Sequence, residues 1–111
     1  MAWQRGMTVA KETYVATTHL PDSERYGLCS QMRRAAVSIP SNIAEGFGRE
    51  STVDLLRFLR MSRGSLFELQ TQFRLSVDLD LLPADAVPVS IIEECDRVLQ
   101  ALIKSLESKA S

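Results

Sequence analysis

The stretch from Leu28 to Arg49 constrains the fold more than any other part of the chain, because it combines a helical pattern with a central proline. Its apolar residues recur every three or four positions, as on one face of a helix; they are Leu28, Met32, Ala36, Ile39, Ile43 and Phe47. Pro40 removes a backbone hydrogen bond and crowds the preceding turn. The apolar stripe keeps its phase across Pro40, so we expect one long kinked helix rather than two helices joined by a loop.

The same stretch carries a second, polar stripe. It consists of Arg34, Ser38, Asn42, Glu45 and Arg49, which also follow helical spacing. On the next predicted helix, Glu68 is a candidate partner for Arg34, and Gly64 precedes Ser65 at a position where a glycine usually admits another backbone. We interpret these eight residues as a polar seam that holds helices or subunits in register. A ligand site and a catalytic site are the alternatives.

Residue types at the helix ends indicate four helices and their boundaries. The first helix, about 16 residues long, ends before Pro21, because the residue that precedes a proline avoids the helical conformation. Asp22 suits the N-cap of the long second helix, and Gly48 suits a left-handed C-cap. Ser51 opens the third helix in a short capping box, and the fourth helix begins between residues 85 and 88.

The apolar faces of these helices predict a single domain over residues 1–111. The apolar face of the first helix consists of Trp3, Met7, Ala10 and Tyr14. That of the third helix consists of Leu55, Leu59, Ser62, Leu66, Leu69, Phe73 and Val77. That of the fourth helix consists of Ile92, Cys95, Leu99, Leu102 or Ile103, and Leu106. Four such helices with short turns form an antiparallel up-down-up-down four-helix bundle, an all-α fold. The second and third helices, at about 26 residues each, are longer than the first, which leaves part of them uncovered and predicts self-association.

Composition excludes several other classes of protein. Hydrophobic residues make up 45% of the chain and charged residues 24%, which suits a soluble globular domain. No apolar run reaches the roughly 18 residues that span a membrane, and the N-terminus lacks the apolar core of a signal peptide. We therefore expect a cytoplasmic protein with no membrane partner, in which Cys29 and Cys95 are buried, reduced thiols.

The residue pattern supports no catalytic, metal or cofactor site. The two cysteines do not form a CxxC pair, and the single histidine, His19, lies beside a proline turn as a solvated loop residue. No pairing of a nucleophile with a base is apparent. We expect a protein that is not an enzyme.

Arginines are concentrated on the third helix and near it. They are Arg57, Arg60 and Arg63, with Arg33 and Arg49 in the preceding stretch. Oligomerisation would multiply them into a basic band that could bind nucleic-acid phosphates. The alternative is a solvated helix face that is paired with Glu50 and Asp54.

Three segments resemble a known family: Pro21–Leu28, Gln31–Arg49 and Gly64–Glu68, with further likeness at Trp3 and Tyr14. They are similar to the bacterial four-helix-bundle proteins encoded within intervening sequences of 23S ribosomal RNA genes. The same fold family includes the accessory variability protein of diversity-generating retroelements. The resemblance implies a bundle that assembles as a ring-like homopentamer and has no established enzymatic activity.

In the retroelement branch, the resemblance implies a nucleic-acid-binding partner of a reverse transcriptase with a strongly basic surface, whereas this chain has a net charge of −1. Two functional hypotheses follow. The first is an oligomeric adaptor that binds RNA or DNA through the arginines of the third helix. The second is a protein-interaction or structural module with no nucleic-acid role. The expected partners are other copies of the chain, RNA or DNA, and another protein.

Overall fold

Four α-helices pack around one core in the structure, a computed structural model that describes residues 1–110. They are α1 (Ala2–Thr17), α2 (Leu28–Phe47), α3 (Thr52–Asp78) and α4 (Val89–Ala110), with 3₁₀ turns at Asp22–Glu24 and Ala84–Ala86. The described part of the chain contains no strand. The predicted all-α four-helix bundle is confirmed.

Each helix contacts the next one along the chain, and α4 returns to contact α1. The contacts between α1 and α2 run in reverse order, since Thr17 meets Arg33 while Gly6 meets Pro40. The same reversal relates α2 to α3. These helices are therefore antiparallel, and the molecule measures 47 × 23 × 19 Å.

The helix α2 continues through Pro40 without a break, as the phase of its apolar stripe predicts. Gly6 of α1 packs directly against this point, because a Cβ atom at Gly6 would lie 3.3 Å from the Cα of Pro40. From the other side, the buried hydroxyl of Ser62 on α3 donates to the Ile39 carbonyl at 2.8 Å. Three helices meet at one level, where small groups let their backbones approach closely.

The start of α2 differs from the prediction. It begins at Leu28, not at Asp22, because the preceding residues form the 3₁₀ turn at Asp22–Glu24. Glu24 supplies the cap instead, since its Oε1 accepts a hydrogen bond from the backbone N–H of Leu28 at 3.1 Å. The helix is consequently 20 residues long, shorter than predicted.

The predicted left-handed cap at Gly48 is also wrong, because its φ is −82°. The left-handed turn follows α3 instead, at Asp80 with a φ of 60°. There the backbone N–H of Leu81 donates to the Ser76 carbonyl at 2.8 Å and that of Asp80 to the Val77 carbonyl at 3.0 Å. This pattern is a Schellman motif, with an aspartate at the position where glycine is usual.

The buried face of α1 consists of small residues rather than the predicted large ones. Ala2, Gly6, Val9, Ala10, Thr13, Ala16 and Thr17 are buried. Trp3, Met7 and Tyr14 remain 38–44% exposed, so their placement in the core is wrong. Their bulk would hold α1 away from α2 at the point where the two backbones approach. On α2, Phe47 is likewise 57% exposed, and its neighbour Gly46 is buried instead.

Large apolar side chains from α2, α3 and α4 fill the core. The predicted faces of α3 and α4 are confirmed for Leu59, Ser62, Leu66, Leu69, Phe73, Ile92, Cys95, Leu99 and Ile103. Both cysteines are free thiols, but Cys29 is only half-buried. His19 is exposed in the turn after α1, as predicted. Among the helices described, none is both long and apolar enough to cross a membrane.

Candidate functional site

The predicted polar seam lies along the outer groove between α2 and α3. Arg34 and Ser38 of α2 and Glu68 of α3 line one hollow of this groove, with a volume of about 390 Å³. Asn42 donates from Nδ2 to the Ser38 carbonyl at 2.9 Å, and the Ser38 hydroxyl donates to the Ala35 carbonyl at 2.6 Å. These hydrogen bonds stay within α2 and do not join α2 to α3.

Arg34 and Glu68 face the same hollow, yet no ion pair joins them in the described structure. Glu68 accepts a hydrogen bond from Nε2 of Gln72 at 3.3 Å instead. The Oε1 atom of Gln72 is buried and has no hydrogen-bond partner in the described part of the chain. A buried acceptor without a donor costs about 1–3 kcal/mol, so this part of the groove is incompletely bonded in the single chain.

The other residues of the polar seam are more dispersed. Arg49 and Glu45 approach within 4.0 Å, the outer limit of an ion pair, and Ser65 is half-buried on α3. Gly64 lies outside the α2/α3 groove, in a hollow between α3 and α4. A Cβ atom there would meet none of the described residues within 4 Å, so the expected close approach of another backbone at Gly64 does not occur among residues 1–110.

Two arginines of α3 bind carboxylates of α4. Arg60 lies 2.6 Å from Glu107, and Arg63 lies 2.8 Å from Asp96. The side chains of Arg63 and Asp96 are only 31% and 22% exposed. These pairs attach α4 to α3 and occupy both guanidinium groups, with partners that the sequence did not suggest.

Arg49 and Arg57 are less constrained than the arginines that pair with α4. Arg57 lies 3.8 Å from Asp54, and its side chain is 59% exposed; that of Arg49 is 48% exposed. Both guanidinium carbons lie 4.7 Å from the centroid of the Phe58 ring. Two accessible cations therefore share one buried aromatic ring, at the end of the α2/α3 groove.

Arg33 lies apart from the other arginines. Its Nε donates to the Thr17 hydroxyl oxygen at 2.9 Å, and its guanidinium group lies over the Tyr14 ring, 4.5 Å from the centroid. Met32, the residue before Arg33, contacts Ser76 of α3. Ser76 lies about 28 Å from Arg57 along this helix. Arg33 therefore stabilises the contact between α1 and α2 and does not extend the α3 row.

An exposed apolar surface follows the outer side of α1 and α2, which we call the α1/α2 apolar surface. It consists of Trp3, Met7 and Tyr14 on α1 and Val37 and Phe47 on α2, each 38–57% exposed. Trp3 and Phe47 line a shared hollow at one end. Val37 lies one helical turn from Arg33, which contacts Tyr14 toward the other end. The sequence contains a signal for this surface. On a helical wheel of α1, the small residues and the large apolar residues fall on different faces of the helix.

The cysteines differ in their surroundings. Cys95 is fully buried, and burial, followed by the negative charge of Asp96, raises the pKa of its thiol to about 11. The thiol is therefore protonated at neutral pH. Cys29 lies near α1, with its Sγ 4.0 Å from the Thr17 carbonyl oxygen. The described residues contain no group of three or more His, Cys, Asp or Glu side chains that could hold a metal ion.

A family model of 23S rRNA-intervening sequence proteins matches residues 1–104. The chain belongs to this family. The match to the 23S rRNA-intervening sequence family spans α1, α2, α3 and most of α4, and it includes the α1/α2 apolar surface, the polar seam and the five arginines considered above. Glu107, the partner of Arg60, lies beyond the matched residues. No curated protein matches the chain.

Proposed function

We propose that this 23S rRNA-intervening sequence protein is not an enzyme, and that it assembles with copies of itself into an interaction or adaptor protein. The α1/α2 apolar surface carries this proposal. Three aromatic residues and a methionine are partly exposed along it, and these residue types are enriched in protein interfaces. Contiguous apolar surfaces of this kind mark sites of protein association.

The polar seam supports a second copy of the chain as the partner. One face of α2 contributes to the α1/α2 apolar surface, and a neighbouring face carries the polar seam. A contact between two unlike surfaces of one chain repeats by rotation, and it forms a ring when the rotation closes. Arg34 and Glu68 are exposed in the hollow of the seam without pairing with each other, and a neighbouring copy would supply charged partners to both. The ring-like homopentamer that the resemblance implies is the assembly we propose.

Two parts of the proposal, that the protein is not an enzyme and that it is cytoplasmic, rest on the cysteines. The thiol of Cys95, with its pKa raised to about 11, is too weakly ionised to serve as a nucleophile at neutral pH. Both cysteines are free, and free thiols persist in the reducing cytosol. We therefore place the proposed non-enzymatic assembly in the cytoplasm.

Light scattering at high micromolar concentration tests the assembly. We expect a mass well above the 12.4 kDa of one chain. Val37→Lys places a charge in the middle of the α1/α2 apolar surface, where burial of an unpaired ammonium group is costly. This substitution is expected to weaken association roughly tenfold or more.

Val53→Lys is the matched control, because Val53 is 71% exposed at the start of α3 and is not part of the α1/α2 apolar surface. It is expected to assemble like the wild type, and circular dichroism verifies that both variants stay folded. A wild-type mass near that of one chain, or a Val37→Lys variant that assembles like the wild type, would contradict the proposal.

Nucleic-acid binding is the second candidate function, and the exposed pair of Arg49 and Arg57 favours it. Their ion pairs are long, at 4.0 and 3.8 Å, so phosphate contacts could replace them at little cost. Repetition of the pair around an assembly would bring several such sites to one surface. Arg60 and Arg63 contribute less, because phosphate binding would break their shorter pairs with α4.

Fluorescence anisotropy with a labelled single-stranded RNA tests this candidate at about 50 mM salt. The double variant Arg49→Gln/Arg57→Gln is expected to weaken binding on every sequence and to lower the magnitude of the salt slope by about 1.4, which is about 0.7 for each lost phosphate contact. Arg74→Gln, at an 80% exposed side chain on the same helix, is the control. Absence of wild-type binding at tens of micromolar protein would reject nucleic-acid binding.

A further inference from the structure

Gly64 is an exposed glycine in the interior of α3, where it costs stability. Relative to alanine, a glycine in a helix interior loses about 0.5–1 kcal/mol. Gly46, by contrast, is required by packing, since a Cβ atom there would lie 2.9 Å from the Cβ of Phe58. Nothing lies within 4 Å of the corresponding point at Gly64. The missing side chain therefore leaves open space on the surface of the bundle.

This space is a hollow of about 410 Å³ between α3 and α4, which we call the Gly64 hollow. Its size falls within the range of ligand clefts, about 300–1,000 Å³. Two ion pairs cross from α3 to α4 beside it, Arg60 with Glu107 and Arg63 with Asp96. A helix that lay along the groove would have to break these pairs, whereas a compact molecule fits between them.

The lining of the Gly64 hollow combines apolar contact area with three cationic side chains and one carboxylate, that of Glu107, which is paired with Arg60. Ile103, which is 8% exposed, and Phe67, which is 44% exposed, supply the apolar part. The guanidinium group of Arg63 lies over the Phe67 ring at 4.7 Å from the centroid. Lys104 also lines the hollow and forms no ion pair with any residue of the described chain. The unpaired ammonium group favours an anion.

We propose that the Gly64 hollow binds a compact organic anion. Its apolar body packs against Phe67 and Ile103, and its negative group binds the ammonium of Lys104. The absence of a side chain at Gly64 provides the room. The hollow lies between α3 and α4, whereas the α1/α2 apolar surface lies on the other pair of helices, so this binding site does not depend on self-association.

Two probes with the same ring system test the site by NMR titration of the labelled protein: 1-naphthalenesulfonate, which is anionic, and 1-naphthalenemethanol, which is neutral. We expect saturable shifts of the amides of Gly64, Phe67, Ile103 and Lys104. The sulfonate is expected to bind about three- to fivefold more tightly than the alcohol, as one exposed charge pair allows. Shifts that cluster elsewhere, or no saturable binding, would overturn the proposal.

Two substitutions separate the contributions of space and charge. Gly64→Leu fills the hollow and is expected to weaken both probes by roughly tenfold, while Thr8→Leu, on the exposed face of α1, leaves them unchanged. Lys104→Gln is expected to remove the preference for the sulfonate, and Lys11→Gln is its control. Lys104 is exposed, so this variant stays decisive even if Gly64→Leu fails to fold. A preference for the sulfonate that survives Lys104→Gln would also overturn the proposal.

Discussion

The thiol of Cys95 is the titratable group whose ionisation the fold changes most clearly. It belongs to the buried face of α4 and has no exposed surface. Burial, with a further contribution from the charge of Asp96, raises its pKa from 9.0 to about 11. The folded protein therefore holds this proton more tightly than the unfolded chain does, and folding is linked to pH.

The free energy of unfolding is expected to decline as pH rises from about 9 to about 11. Because the pKa is raised on folding, the contribution of Cys95 is complete below the unfolded pKa and is lost as pH passes through the folded pKa. The shift corresponds to roughly 2–3 kcal/mol. Urea unfolding of the wild type and of Cys95→Ala across this interval measures the effect, since the variant lacks this part of the decline.

The difference between the two curves isolates Cys95, because every other side chain is the same in both proteins. Cys29→Ala, which removes the half-buried thiol, is the matched control for the loss of a cysteine. Parallel curves for the wild type and Cys95→Ala would show that the raised pKa does not contribute to stability.

At the scale of whole helices, two glycines have opposite relations to their surroundings. Gly46, near the end of α2, packs against Phe58 and Leu55 of α3, with no room for a methyl group. Gly64, in the interior of α3, faces open space. The same substitution at both positions therefore separates packing from helix propensity.

Gly46→Ala is expected to lower the free energy of unfolding by about 1–3 kcal/mol, because the added methyl group forces α2 and α3 apart. Gly64→Ala is expected to raise it by about 0.5–1 kcal/mol, since alanine favours the helix and clashes with nothing. Chemical denaturation of both variants provides the comparison. Equal signs for the two changes would contradict the packing that the structure shows.

For the molecule as a whole, hydrophobic periodicity predicted the number and course of the helices better than the residues that pack between them. The number of helices, the passage of α2 through Pro40 and the buried face of α3 follow from apolar spacing alone. The buried face of α1 does not, because periodicity selects large apolar residues such as Trp3 and Met7. The buried face of α1 consists of small residues instead, because α1 and α2 approach closely at Gly6. The spacing within α1 does not reveal this approach, which becomes apparent only once the position of α2 is known.

The candidate sites show the same division between local and long-range information. Helical spacing placed Arg60 and Arg63 on α3, but their carboxylate partners lie 47 and 33 residues further along the chain. No local pattern connects positions so far apart. Similarly, the sequence suggested Glu68 as a partner for Arg34, yet the structure places both at one hollow without a bond between them.

Gly6, Pro40 and Ser62 meet at one level of the bundle, and their contact joins α1, α2 and α3 but does not include α4. Through these contacts α1, α2 and α3 share a buried hydrogen bond and close backbone packing, which salt does not weaken. The polar contacts of α4 with the other helices are ion pairs: Arg5 with Glu94 and Arg60 with Glu107 at the surface, and Arg63 with Asp96 partly buried. Dissolved ions screen such pairs. Higher ionic strength is therefore expected to loosen the polar contacts of the fourth helix, while its buried apolar face keeps it packed against the other three.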